Sequence, residues 1–253
     1  MPFFAHFEID IVSALADQLL ASFQTLDVGD LSEENIGTVP KEQGIYQLFR
    51  DGTLVYVGKA GSLRSRLSDH SYKIKGRRNI GLDQMGFKCL TVHKNWTAVA
   101  PENSLIAHYK AQPGICEWNG NGFGIHDPGR NREETNQEPD GFDSQFPIRE
   151  DWPCMGITAG DWNGRELLIR MKEELPFLLR YQTVEKKKYR SGHADYNNLT
   201  ITIPQAAMPA DEMLRLITQN VLGWQATRFP GSLIFYKECR KYTFGTVIWP
   251  VGN

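Results

Sequence analysis

Tyr46 and Tyr56 stand ten residues apart in the strings GIYQLFR and TLVYVG, on either side of Asp51-Gly52. Both strings are β-branched and aromatic runs, and Asp-Gly between such runs is a hairpin signal, so the spacing predicts two paired strands with a phenol on each. Whether the phenols cooperate depends on the loop. An odd-numbered loop, Asp51-Gly52-Thr53 with Gly52 at positive φ, pairs Leu48 with Tyr56 and sets both phenols on one face as diagonal neighbours. A two-residue loop sets them on opposite faces. Lys59 directly follows the hairpin, which brings an ammonium near the phenols. Arg66 and His70 are four apart in a stretch with helical spacing and so share one side of a helix. Glu102 opens a further helix, PENSLIAHYKAQ, where proline in the first turn and an acid beside the positive end are both favourable. Leu105, Ile106 and Tyr109 follow it at i+3, i+4 and i+7, turning Glu102 towards the packed face, where a carboxylate needs a cation or donors. A metal ion would supply that need.

The elements that must position these groups can be read along the chain. Residues 8–24 place Ile11, Leu15, Leu19, Leu20 and Phe23 at helical spacing, and GFKCLTVHKN reads as a strand. From Pro113 to Pro153 the composition turns to Gly, Asn, Asp and Pro, a long loop of the kind that tends to be functional or disordered. Beyond it GRELLIRMKEELPFLLRYQ and ADEMLRLITQNVLGW read as helices, and NLTITIP, SLIFYKEC and YTFGTVIW as strands. The pattern predicts an α+β protein in three parts: an N-terminal helical arm over 1–35, a core with a recognition loop over 36–150, and an α/β extension over 151–253.

With 253 residues, 41% hydrophobic and 23% charged, the chain is long enough to bury a real core, which excludes disorder, collagen and coiled coil. No run approaches a membrane span, and Glu8 and Asp10 interrupt the opening where a signal peptide needs apolar residues, so the chain reads as cytoplasmic. Cys89, Cys116, Cys154 and Cys239 lie far apart without CxxC and read as small buried thiols. The net charge of −2 says nothing in favour of nucleic acid, but its distribution does. From Lys59 to Lys94 nine basic residues face two acids, a local excess of +7, and a second basic cluster runs from Arg180 to Arg190.

Gly44-Ile45-Tyr46 and Tyr56-Val57-Gly58, followed by Lys59, Leu63, Arg66, Leu67 and His70, then by Glu102 and Trp118-Asn119, resemble the GIY-YIG nuclease superfamily. The strings GFGIHDPGR (122–130) and GFDSQFPIR (141–149) look like its type II restriction-endonuclease branch, and WQATRFPGSLIFYKE (224–238) like the C-terminal part of that branch. The core likeness covers about residues 40–150. YVG stands in place of YIG, and the link from Glu102 to Asn119 is a few residues longer than usual, which leaves Asn121 as a competitor for the Asn position.

The resemblance implies a small GIY-YIG-type mixed β-sheet flanked by helices, with long loop insertions. It implies a catalytic set of Tyr46, Tyr56, Lys59, Arg66, His70, Glu102 and Asn119, with Glu102 as ligand to Mg²⁺ and Mn²⁺ as its substitute. The activity implied is sequence-specific cleavage of double-stranded DNA, with Tyr46 as general base. A free phenol titrates near pH ~10, so such a base needs nearby positive charge. Candidate DNA contacts are Arg64, Lys73, Lys75, Arg77 and Arg78 of the basic strip, Asn121, His126, Arg130 and Arg132 of the long loop, and Lys186, Lys187, Lys188 and Arg190. A palindromic site favours a homodimer, and a restriction enzyme is accompanied by a cognate DNA methyltransferase encoded nearby. The alternatives are a structure-specific nuclease of repair or mobile-element type and a DNA-binding module without activity.

Overall fold

The computed structural model describes residues 3, 10–93, 101–111, 114–124, 138–185 and 188–249, and the backbone alone at 11, 12, 101, 102 and 104. The chain divides into two compact units, Met1–Tyr72 with Gly81–Ile125, and Lys73–Ile80 with His126–Asn253.

The first unit is built from α1 (Ile11–Gln24), β1 (Gly29–Asp30), α2 (Glu33–Thr38), β2 (Gly44–Arg50), β3 (Thr53–Ala60), the start of α3 (Leu63–Lys75), β4 (Met85–Thr91) and α4 (Pro101–Lys110). Its sheet runs β1-β4-β2-β3, and all three pairings are antiparallel. The parallel pair that makes a sheet mixed lies in the second unit. The Asp10 carboxylate accepts from Ser13 N at 3.0 Å and starts α1, while Ser32 caps α2 in the same way.

Strand alternation gives this sheet two apolar faces. On one, Ile45, Leu54 and Val57 pack with Leu19 and Phe23 of α1 and Leu105 of α4, with Ile106 and Tyr109 partly buried beside them. Helix α1 is therefore a layer of the same unit. On the other face lies α3, whose Leu63 and Leu67 are fully buried. Gly44 permits that approach, since a Cβ there would lie 2.6 Å from Leu63 Cδ1.

The β2–β3 hairpin combines two expected alternatives. The loop has two residues, with Arg50 opposite Thr53 and Asp51 and Gly52 at φ 47° and 77°. Without correction that loop would separate the phenols. The register shifts after Phe49↔Leu54, however, and Leu48 pairs with Tyr56, leaving Val55 as the extra residue of a β-bulge. The bulge restores the one-face arrangement.

In the second unit the elements are α5 (Phe142–Gln145), β5 (Gly160–Asn163), α6 (Gly164–Glu174), β6 (Leu178–Tyr181), α7 (Ala194–Asn197), β7 (Thr200–Ile203), α8 (Ala210–Gln219), β8 (Gln225–Phe229), β9 (Ser232–Tyr236) and β10 (Thr246–Trp249). A sheet ordered β10-β8-β9-β6, with β6 parallel to β9, is accompanied by a β5–β7 ribbon. Leu167, Leu168 and Met171 of α6 and Met213, Leu214 and Ile217 of α8 form a core with Tyr196, Trp224 and Phe235.

Several sequence expectations change here. The stretch read as one helix over 164–182 ends at Glu174, because Leu175 precedes Pro176 and takes extended φ and ψ, and LLRY then enters the sheet. The helix read over 210–224 ends at Gln219, with 225–229 following as a strand, and the long loop carries the short helix α5. Cys116 and Cys154 are buried, with burial pushing their thiols up to about 11 and about 12, but Cys89 is half-buried and Cys239 exposed. Among the described residues no helix is long and apolar enough to cross a membrane.

Candidate active site

Tyr46 lies mid-strand on β2, opposite Gly58 on β3. A Cβ at Gly58 would lie 2.5 Å from Tyr46 Oη, so the phenol crosses its neighbour strand only because that residue is glycine. Tyr46 Oη meets His70 Nε2 at 2.7 Å, with Tyr46 2% and His70 5% exposed. The Tyr56 ring stands 6.1 Å from Tyr46 and 5.8 Å from His70, centroid to centroid. Three of the expected catalytic side chains thus share the α3 face of the sheet, brought there by the bulge and by the helical phase of α3.

Phe123 joins them and was missed in the sequence. Its ring stacks on His70 at 4.8 Å and 19°, meets Tyr56 edge-on at 5.1 Å, and has Trp118 at 4.8 Å. The available signal was a single aromatic between Gly122 and Gly124. Gly122 has φ 95°, and a Cβ at Gly124 would collide with Tyr56 Oη.

The segment carrying Phe123 is hydrogen-bonded along the outer edge of β3. Cys116 N donates to Leu54 O at 2.9 Å, and Trp118 N to the bulge carbonyl of Val55 at 3.0 Å. Asn119 then behaves like a strand residue through its side chain: Oδ1 accepts from Val57 N at 2.9 Å and Nδ2 donates to Val57 O at 2.8 Å. Lys110 Nζ on α4 donates to Asn119 O at 2.6 Å. Asn119 is buried and Asn121 exposed, so Asn119 is the asparagine built into the hairpin.

Arg66 is exposed on α3, one turn before His70. Lys59 pairs with Ile45 and therefore leaves β3 on the α1 and α4 face, opposite to the phenols, and is exposed. Glu102 belongs to the first turn of α4, the helix packed on that same face, and its side chain lies outside the described residues.

Among the candidate DNA contacts, Arg77 is a correction. Its guanidinium is 3% exposed, pairs with Asp143 at 2.9 Å, donates to Phe146 O at 3.1 Å and lies over the Phe142 ring. A cation so enclosed holds the protein together and is withdrawn from DNA. Arg78 is exposed and paired with Glu150, Arg64 donates to Val39 O at 2.6 Å, and Lys73 stands over the Phe142 ring while Lys75 is half-buried. Lys188 pairs with Glu185 at 2.5 Å and Arg190 with Glu173 at 2.6 Å. His126, Arg130, Arg132, Lys186 and Lys187 lie outside the described residues.

Residues 42–151 match the family described as the Eco29kI GIY-YIG domain. This segment is a GIY-YIG nuclease domain. The GIY-YIG domain contains the hairpin, α3, α4 and the docked segment, so the Tyr46–Tyr56–His70 group lies wholly within it. UvrABC system protein C from two strains of Porphyromonas gingivalis is 38% identical over 77 residues, 29% of this chain. The chain spans 13% of the length of those curated relatives. The magnesium-bound GIY-YIG N-terminal endonuclease domain of UvrC from Thermotoga maritima is 24% identical, with a TM-score of 0.25 over 30% of this chain and 88% of that one. A tyrosine point mutant of the same domain is 19% identical, with a TM-score of 0.26 over 37% of this chain and 93% of that one.

Proposed function

We propose that the chain is a Mg²⁺-dependent, sequence-specific double-stranded DNA endonuclease of the type II restriction class. The observation that carries this reading is the Tyr46–His70 hydrogen bond of 2.7 Å, buried within a domain matched by a restriction-enzyme-type GIY-YIG family. In the reaction, water oxygen bonds to phosphorus in line with the departing 3′-oxygen, the P–O3′ bond breaks, and the leaving oxygen takes up a proton. Tyr46 takes the proton of the attacking water as its own phenol proton passes to His70 Nε2. Tyr56 orients the water or a phosphate oxygen, and Arg66 neutralises the phosphoryl oxygens. Asn119 keeps the docked segment on β3.

Among the described residues no three His, Cys, Asp or Glu side chains gather into a metal-holding group. The donor set we propose from the family resemblance is the single carboxylate of Glu102, which fits Mg²⁺, an ion that keeps most of its waters, and equally Mn²⁺. Such an ion supplies charge stabilisation at the departing oxygen. Lys59, exposed on the face of the sheet that also packs α4, is the proposed source of further positive charge. DNA is held by the basic strip over 64–78 without Arg77, by the long loop and by residues 186–190. The proposed assembly is a homodimer on a palindromic site, acting in the cytoplasm beside a cognate methyltransferase.

A second reading, a structure-specific repair nuclease, is favoured by the 38% identity to UvrABC system protein C over 77 residues. Digestion of several sequenced plasmids with Mg²⁺, followed by end mapping, separates the two. Discrete fragments with both strands cut at one recurring sequence support the restriction reading. Nicks confined to branched or single-stranded DNA replace it with the second, and no cutting with either substrate refutes both. Glu102→Ala should keep DNA affinity and abolish cutting even at high Mg²⁺; unchanged cleavage removes the metal assignment.

A further inference from the structure

We infer that Phe123 is a positioning residue of the GIY-YIG site, fixing the plane of the His70 imidazole and through it the hydrogen bond to Tyr46. The catalytic consequence rests on the reading of Tyr46 as base, whereas the geometric one does not. An imidazole turns about a broad, weakly restricted terminal torsion, and a hydrogen bond places a ring nitrogen more firmly than it places the ring plane. A ring face laid against it fixes that plane. Phe123 provides that face, at 4.8 Å and 19° from His70, and is itself only 2% exposed.

The support behind Phe123 is built. Trp118 packs at 4.8 Å, and Tyr56 closes from the edge at 5.1 Å. The backbone at Cys116 and Trp118 and the Asn119 amide tie the segment to Leu54, Val55 and Val57. Gly120 and Gly122, at φ 87° and 95°, then turn the chain so that Phe123 comes down on His70. The Tyr46–His70 bond lies between two almost fully buried rings, where a hydrogen bond is stronger than in water.

The test uses the full chain, with Phe123→Leu removing the ring face, Phe123→Tyr retaining it, and ¹⁵N NMR of His70 in each. In the wild-type protein His70 should show one imidazole tautomer, with ring protons moved upfield by the stacked face. In Phe123→Leu the tautomers should mix and the upfield shift vanish. Single-turnover cleavage should fall roughly 10- to 100-fold with an altered pH profile, as expected for a displaced catalytic group. DNA affinity should change less than about threefold, because Phe123 acts on proton transfer and not on phosphate binding. Phe123→Tyr should restore rate and spectrum. Wild-type His70 with averaged tautomers and no ring shift overturns the inference, whether or not any variant folds. So does a folded Phe123→Leu protein with wild-type rate, pH profile and spectrum. A wild-type protein that cuts no DNA but shows the fixed tautomer sinks the nuclease reading and leaves the positioning role standing.

Discussion

Tyr46 combines a ring that is 2% exposed with a hydroxyl 2.7 Å from a buried imidazole nitrogen, so its polar end is committed inside the protein. Tyr46→Phe keeps the ring and deletes that partner. Cleavage should then drop by roughly 10²–10⁴-fold at every pH, the usual contribution of a positioned general base. Stability should fall by about 1–3 kcal/mol, because the imidazole nitrogen is left buried without the phenol. Single-turnover rates and urea unfolding measure the two effects, and near-wild-type turnover would remove Tyr46 as base. The phenols and His70 were legible in the sequence because they fall on strands and a helix whose periods are fixed, whereas Asn119 and Asn121 were separated only by burial and the bonds to Val57. Arg77 was not legible. It shares the string KIKGRRN with the exposed Arg78, and what buries it is supplied by Phe142, Asp143 and Phe146, far along the chain. Phe123 was hidden for the same reason, since nothing in NGFG says which ring the phenylalanine will meet.

Strands β2 and β3 work as a pair because one carries a large ring where the other carries none. Gly58→Ala would place a methyl 2.5 Å from Tyr46 Oη, and overpacking of this kind costs typically 1–3 kcal/mol while displacing the ring. A lowered urea midpoint together with lost cleavage is expected; wild-type values for both would mean the phenol does not depend on crossing β3. The hairpin itself was foreseeable, but the bulge at Val55 was not, because two-residue and three-residue loops leave the same letters in the sequence. Similarly, apolar periodicity continues past Glu174, and only the effect of Pro176 on its neighbour converts that run from helix to strand. A further link joins α7 to the sheet of the second unit: Asp195 Oδ2 accepts from Trp224 Nε1 at 2.9 Å and pairs with Lys237 at 2.8 Å. Lys237 first, and then the Trp224 indole, hold the Asp195 carboxyl below its usual range. A depressed folded pKa gives stability that is present above the unfolded value near ~3.9 and lost as pH falls through the folded one. Asp195→Asn should therefore lower Tm at pH 7 and converge with wild type once pH has fallen below the folded value. A difference that stays constant as pH is lowered through the acid range would assign the effect to packing.

The Arg77–Asp143 pair ties together three stretches of the second unit that are remote in sequence. Ile148 N donates to Pro230 O and Arg149 N to Gly76 O, while Arg78 N donates to Pro147 O, so residues 76–78, 147–149 and 230 form one backbone network. The ion pair sits within it, 3% and 8% exposed, and Gly231 leaves the space that Asp143 occupies. The matched GIY-YIG domain ends at residue 151, yet part of this network comes from Pro230. Removing one member of a buried pair strands the other charge and costs about 3–5 kcal/mol, whereas replacing both with apolar groups of similar volume is often neutral. Asp143→Ala should thus lower the urea unfolding free energy by about that amount, and the double variant Arg77→Met/Asp143→Leu should recover most of it. The double variant also tests the withdrawal of Arg77 from the DNA surface. Each lysine or arginine on a phosphate contributes about 0.9 to the slope of log affinity against log salt. With Arg77 enclosed, the folded double variant should bind DNA with the wild-type affinity and slope. A slope reduced by close to one unit would return Arg77 to the DNA and mean that its pairing with Asp143 opens on binding.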